Sequence, residues 1–336
     1  MKGLSKESAT WLEVPAERAG QRIDNFLARE LKGVPRSHIY RILRSGEVRV
    51  NSRRVGPEHR LAAGDRVRLP PLRRREGIRA APPRSQPALE RIYEDEALLV
   101  VNKPAGLAVH GGSGVRHGVI ERLRAVLPDA RALELVHRLD RDTSGVLMLA
   151  KRRSALLALH RQLREGAVEK RYLVLVKGRW REPERSVRLA LEKTVLASGD
   201  RRVYVRGGGR PAHTIFRLRR SWPSFSLLEA ELVTGRTHQI RVHLAHLGFP
   251  VAGDDKYGDF ALNRELARRG LKRMFLHALR VAIRHPRTGE RLVLEAPLPP
   301  ELERFLRDLD AEQQALALPA PDRSPKARDP ESPVKP

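Results

Sequence analysis

The stretch "HRLDRDTSGV", residues 137–146, places one carboxylate, Asp140, between Arg138 and Arg141, directly after His137. Thr143, Ser144 and Gly145 follow it. Leu133, Leu135 and Val136 lead into the segment and Val146 to Leu149 lead out, so its polar centre reads as a turn between two strands. An opposite charge within about 4–6 Å favours the ionised form of an acid, so an aspartate set among arginines is expected to stay deprotonated. That suits a nucleophile or an anionic stabiliser and suits a general acid badly, because a general acid must hold its proton near neutral pH. The plain alternative is an ion pair that pins two strands. The small polar turn beside Asp140 weighs against it, because such turns let a ligand backbone come close.

Outward from this segment, residues 89–310 read as one large domain. Strand-like runs fall at 97–101, 146–150, 172–176, 227–232, 279–283 and 292–295. Helical faces lie between them: Val119, Leu123, Val126 and Leu127; Leu156, Leu159 and Leu163 behind a Ser154 cap; and Ile240, Leu244 and Leu247, ended by Gly248. The pattern is α+β on a mainly antiparallel mixed sheet.

Residues 17–72 form a small basic α/β module. "QRIDNFLARELKG" sets Ile23, Phe26, Leu27 and Leu31 on one helical face, and "SHIYRILRSG" repeats the device with Ser37 as the cap. "EVRVNSRRV" then reads as a hairpin turning at Asn51 and Ser52, with a last strand over 66–69. Its polar side carries Arg36, Arg41, Arg44, Arg49, Arg53 and Arg54, a set suited to a phosphate backbone. A solvated helix face is the alternative reading. Residues 1–16 stand as an N-terminal extension, 73–88 as a Pro/Arg-rich linker and 311–336 as a disordered tail.

The composition points the same way. Lys+Arg number 66 against 40 Asp+Glu, a formal net charge of +26 over 336 residues, which fits a polyanionic partner and nucleic acid first. An arginine-rich solvated surface is the alternative, since arginine is spread along the chain. The absence of cysteine excludes a disulfide scaffold, thiol chemistry and cysteine zinc sites, and with them the zinc-dependent base deaminases. No apolar run reaches the roughly 18 residues of a membrane span. The N-terminus lacks the apolar core of a secretory signal, so the expected location is the cytoplasm.

Three other segments match the polar density of the first: "NKPAGLAVHGGSG" (102–114), "EKRYLVLVKG" (169–178) and "TGRTHQIRVH" (234–243). Metal readings are weak there. His243 and His246 have i, i+3 spacing beside His238, but no acid completes the set, and Asp254 and Asp255 are adjacent in sequence. "GGSG" lacks the Lys-Ser/Thr of a phosphate-binding loop. A glycosidase needs a second carboxylate, and no segment offers one to Asp140.

"HRLDRDTSG", then "KRYLVLV", then "TGRTHQIRVH" resemble the bacterial pseudouridine synthases of the ribosomal large-subunit class. The basic module resembles the small RNA-binding domain named after the fourth protein of the small ribosomal subunit. "AGQRIDNFLARELKGVPRSHIYRILRSGEVRVN" and "VHGGSG" look closest to the C-type branch of the family. The resemblance covers about residues 17–305, leaving aside the segment around 198–213. It implies a pseudouridine synthase fold and isomerisation of several uridines in large-subunit ribosomal RNA. It also implies no metal or nucleotide cofactor, and a monomer is expected. It carries the essential aspartate to Asp140, acting by attack on the sugar or abstraction of a sugar proton. The base-stacking tyrosine falls on Tyr172 and the basic partner of the aspartate on Arg236, at the predicted start of a helix. Arg138 would fill the gap left by the extracted base, and Ile240 would line the base pocket. His137 is expected to be structural. The bland readings are a core-packing Tyr172 and a surface Arg236, and a non-catalytic ribosome-assembly protein of the same fold is the alternative for the whole chain.

Overall fold

Apolar and basic residues alternate along the short strands of the N-terminal module, and that alternation gives its sheet a core side and a basic side. The computed structural model describes residues 9–31, 34, 36–71, 89–111, 118–127, 132–195 and 201–317. The linker at 73–88, most of the "GGSG" turn and residues 318–336 lie outside these. The module contains β1 (Thr10–Glu13), α1 (Ile23–Glu30), α2 (Arg36–Arg44), β2 (Arg49–Val50), β3 (Arg53–Arg54) and β4 (Arg66–Leu69). The antiparallel strand order is β1-β4-β2-β3.

The expected helical faces make the core: Ile23, Phe26, Leu27 and Leu31 from the first segment meet Ile39, Ile42 and Leu43 from the second, over Val50, Val67 and Leu69 of the sheet. Burial of each such side chain contributes about 1.5–3 kcal/mol. Asn51 and Ser52 have φ of 48° and 67°, the two left-handed central positions of a tight hairpin turn. Asp24 ties the helices together by accepting from Arg22 (2.8 Å), the Tyr40 hydroxyl (2.9 Å) and the Asn25 amide (2.8 Å). Burial alone would raise its carboxyl, but those hydrogen bonds outweigh burial and hold it below the usual range.

Two expectations are corrected here. Ser37 lies inside α2, which starts at Arg36, so it is not the cap. Residues 10–13 are no mere extension: β1 pairs along its whole length with β4, Thr10 opposite Leu69 and Glu13 opposite Arg66.

The chain continues through β5 (Arg91–Glu94), β6 (Leu98–Lys103), α3 (Val119–Val126), β7 (Glu134–Leu135), β8 (Ser144–Ala150), α4 (Arg153–Glu165) and β9 (Glu169–Lys177). Then follow β10 (Glu184–Val195), β11 (Arg201–Val205), β12 (Arg210–Ser221), β13 (Phe225–Leu232), α5 (Gln239–His246) and α6 (Phe260–Arg268). The last elements are β14 (Leu276–Arg284), β15 (Arg291–Glu295) and α7 (Pro300–Ala317). α7 is continuous through 317, so the fold passes the expected boundary at 310.

The chain falls into two compact units, Met1–Lys170 with Arg280–Ala296, and Arg171–Leu279 with the segment from Pro297 onward. It passes between them inside β9, inside β14 and again after Ala296. The single large domain expected at 89–310 is thus divided.

In the first unit β5, β6 and β8 are hydrogen-bonded neighbours, with β7 also on β8. All seven residues of β8 are buried. Leu98, Val100, Val146 and Met148 of this sheet pack with Leu156 and Leu159 of α4. Ser154 sits inside α4 and the capping position is Arg152, a second correction of a predicted cap. In the second unit the order is β11-β10-β12-β13-β9, all antiparallel. Its core joins Leu175, Phe225 and Phe275 to Leu302, Phe305 and Leu309 of α7. No helix of the described residues is long and apolar enough to cross a membrane.

Candidate active site

The segment from 136 to 143 connects β7 to β8, and three ties fix it. The Val136 amide donates to the Met148 carbonyl (3.1 Å), and the Met148 amide donates to His137 Nε2 (3.1 Å). A ring nitrogen that accepts an amide hydrogen bond must lack a proton. Burial, aided by the nearby Lys170 charge, pushes the His137 pKa down to about 4. His137 is therefore a neutral clamp on the strand, in keeping with a structural role.

The third tie is Lys103. Its side chain is fully buried at the end of β6, where it pairs in register with Gly145. Its ammonium donates to the carbonyls of Pro104 (2.9 Å), Leu107 (2.7 Å) and Arg141 (2.9 Å). Three donors meet three acceptors, one of them the carbonyl of the residue directly after Asp140. Gly145 itself has φ of 111°, a conformation that a side chain would strain.

Asp140 is half-buried on this loop, and its carbonyl accepts from the Thr143 amide (3.2 Å), which closes the turn. Arg138 is exposed next to it. Arg141 is engaged by Asp142, Nη2 to Oδ2 at 3.1 Å. At least one of the two flanking guanidiniums thus also engages a neighbouring acid, Asp142.

Tyr172, Arg236 and Ile240 belong to the second unit. Tyr172 lies on β9 opposite Ala230 of β13 and is 7% exposed. Its neighbour Arg171 pairs with the buried Glu229 at 3.0 Å. Arg236 is exposed in the turn between β13 and α5, with its Nε donating to the Pro211 carbonyl (3.1 Å). The helix starts only at Gln239, after His238 in a left-handed conformation (φ 54°), so Arg236 precedes the helix that was expected to begin with it.

The turn is organised by Gln239, which sequence reasoning missed. Its Oε1 accepts from the Thr234 hydroxyl (2.8 Å) and the Arg236 amide (2.9 Å). Its Nε2 donates to the His213 carbonyl and the Thr214 hydroxyl, both at 2.9 Å. Every hydrogen-bonding position of the buried amide is used, and the backbone under Arg236 is set by it. The only signal in the sequence was its place inside "THQIR".

Ile240 is 4% exposed on α5. Arg241, next on the helix, forms a buried bidentate pair with Asp254, 2.7 Å at each contact, and stacks over Tyr257 at 5.1 Å. Burial acts to raise the Asp254 carboxyl, but Arg241 and the amides of Tyr257 and Lys256 hold it below its ordinary range. His238 meets the Tyr257 hydroxyl (2.8 Å), and His243 meets the Thr214 hydroxyl (3.0 Å). Two of the three histidines weighed for a metal, His238 and His243, thus have protein partners. Among the described residues no group of three histidine, aspartate or glutamate side chains is placed to hold an ion.

In the module, Arg41, Arg44, Arg49, Arg53 and Arg54 are all exposed, while the side chain of Arg36 lies outside the described part. Arg44 lies over the Tyr40 ring at 6.0 Å, and Arg54 holds the Ser45 carbonyl (2.9 Å).

The geometry provides a half-buried carboxylate on a pinned turn, a largely buried tyrosine on a strand and an exposed arginine on a fixed turn. The model of the RNA pseudouridylate synthase family matches residues 97–246, and that of the S4 domain matches residues 21–67. The chain belongs to the RNA pseudouridine synthase family and carries an S4 domain. The first of these matches runs through the segment at 198–213, which sequence analysis had left outside the family pattern.

Among curated relatives, "Ribosomal large subunit pseudouridine synthase C" of Pasteurella multocida is 52% identical, over 89% of this chain and 94% of its own. The protein of the same name from Escherichia coli K12 is 53% identical, over 88% and 95%. Among solved structures, "Human RNA Pseudouridylate Synthase Domain Containing 1" covers 71% of this chain and 100% of its own, at 29% identity and a TM-score of 0.55.

Proposed function

We propose that the protein isomerises specific uridines of large-subunit ribosomal RNA to pseudouridine, with Asp140, Tyr172 and Arg236 at the reaction centre. The observation that carries this reading is the pinned turn at 137–145. His137, Lys103 and the Thr143 amide all fix the backbone around one half-buried carboxylate. Relatives named as large-subunit ribosomal pseudouridine synthases, 52–53% identical over nearly nine-tenths of the chain, support the substrate.

A uridine stacked in folded RNA must leave its helix before its glycosidic bond can be reached, at a cost of a few kcal/mol. Arg138, exposed beside the carboxylate, takes the place of the departed base. Tyr172 offers a flat ring to the extracted uracil, a contact worth about 1–3 kcal/mol, and Ile240 lines its pocket. Asp140 then acts on the sugar, the N1–C1′ bond breaks, the uracil turns and C5 bonds to C1′, after which C5 loses its proton and N1 gains one, so that the product is an isomer of the substrate. The resemblance assigns the role of cationic partner of the aspartate to Arg236. The sequence of bonds consumes neither water nor a cofactor. The exposed arginines of the S4 domain, Arg41, Arg44, Arg49, Arg53 and Arg54, engage the RNA backbone together with Arg36. The protein acts as a monomer in the cytoplasm, where ribosomal RNA of a bacterial cell is assembled.

The test is Asp140→Ala assayed on ribosomal RNA. Pseudouridine formation disappears while RNA binding stays within about twofold of wild type. Conversion at an appreciable rate by this variant would remove Asp140 from the mechanism. Release of uracil by the wild-type protein would replace isomerisation by hydrolysis.

A further inference from the structure

β1 lies outside the stretch matched by the S4 family, which begins at residue 21, yet it forms an edge strand of the small sheet. It brings Trp11 to that sheet. The ring is 43% exposed, whereas the other two tryptophans of the chain, Trp180 and Trp222, are 2% and 3% exposed. Large aromatic surface left in water marks a contact surface more often than an isolated aliphatic does.

The register fixes what surrounds it. Trp11 lies opposite Arg68 of β4, Arg68 lies opposite Arg49 of β2, and Arg49 lies opposite Arg54 of β3. One row across all four strands therefore reads Trp11, Arg68, Arg49, Arg54, spanning roughly 14 Å at the usual strand spacing. Arg66, two residues before Arg68 and so on the same face, holds its guanidinium 5.1 Å from the Trp11 ring. Glu13, opposite Arg66, is the one acid these strands place on that face, against four arginines. The opposite face, with Val50, Val67 and Leu69, is buried in the core. Like charges directly opposite one another in a ladder repel. A polyanion laid along the row relieves that repulsion and releases its own counterions.

We propose that this face is a binding platform for single-stranded RNA, in which Trp11 stacks on a nucleobase and the Arg68–Arg49–Arg54 row takes the adjoining backbone phosphates. The pairing of an exposed ring with a cationic track is the combination that binds unpaired strands without reading sequence. It is a different contact from the uracil pocket, because it engages a base that is not modified. The inference rests on the reading of the chain as an RNA-modifying enzyme.

The experiment uses the full chain and a ten-nucleotide oligouridylate, with heparin as an anion that has no bases. Because Trp180 and Trp222 are buried, a change of tryptophan emission on binding reports chiefly on Trp11. The oligouridylate quenches it and heparin does not. Trp11→Ala weakens oligouridylate binding about tenfold with the salt slope unchanged, and Trp11→Phe restores most of the affinity. Arg49→Gln and Arg68→Gln each lower the salt slope by about one, whereas Arg307→Gln, on the exposed side of α7, leaves it as it was. Equal binding by Trp11→Ala and wild type, or equal quenching by heparin, overturns the platform. A parallel assay of pseudouridine formation by the wild-type chain separates the two claims. Loss of the platform with product still formed leaves the enzymatic reading standing, and absence of product from the wild-type chain defeats that reading by itself.

Discussion

Lys103 carries its charge on a fully buried side chain, and the three carbonyls around it make that tolerable. A charged donor hydrogen-bonded to carbonyl oxygens contributes more than a neutral one, and removing it leaves acceptors that cost about 1–3 kcal/mol each. Lys103→Met preserves much of the volume but orphans all three. We expect a loss of several kcal/mol in stability, read from urea unfolding, and at least a tenfold drop in single-turnover isomerisation with RNA affinity retained. Turnover equal to wild type would show that the placement of Asp140 does not depend on this anchor. Asp140 was legible from its neighbours in the chain, because the small residues and cations that surround it are adjacent in sequence. Lys103 was not, because the Arg141 carbonyl it serves lies 38 residues further on. Gln239 escaped for the same reason, since two of its four partners come from β12.

At the scale of elements, β8 and α5 are each clamped by a neutral histidine. Met148 of β8 donates to His137, while His243 of α5 is fully buried against Thr214. Burial brings both pKa values down to about 4, against about 6.5 in an unfolded chain. The folded state then binds fewer protons than the unfolded state below neutrality. Their stabilisation is complete above about pH 6.5 and is lost as pH falls toward 4, by about 2 kcal/mol for each ring at pH 5. Asp24 and Asp254, whose pKa values are lowered, remain charged in that window and do not contribute to the decline. Unfolding by urea at pH 7.5 and pH 5 tests this. The wild-type midpoint falls, and it falls less in His243→Gln, which has no ring to protonate. Element boundaries were the weaker part of the sequence reading. Ser154 looked like a cap, but the Lys151 amide is already taken by the Ala97 carbonyl (2.8 Å), so the chain leaves β8 there and starts its helix at Arg153.

Over the whole molecule the net charge of +26 sets the response to salt. If about six to ten arginine and lysine side chains meet phosphates, affinity for ribosomal RNA falls about 10³–10⁵-fold between 50 and 200 mM salt. A titration series at several salt concentrations measures the slope. A shallow slope would mean that most of the positive charge faces water and that the basic S4 surface contributes little. Charge, the helical faces of the module, the Asn51–Ser52 hairpin and the sequence-local motif at 137–145 were all determined by the sequence itself, because each is written in residues a few positions apart. The join of β1 to the small sheet, the lysine beneath the 137–145 turn, the amide beneath Arg236 and the division of the large domain into two units were decided only by the tertiary structure. Each rests on contacts between segments far apart in the chain, and such contacts are selected by packing and hydrogen-bond satisfaction that no local periodicity records.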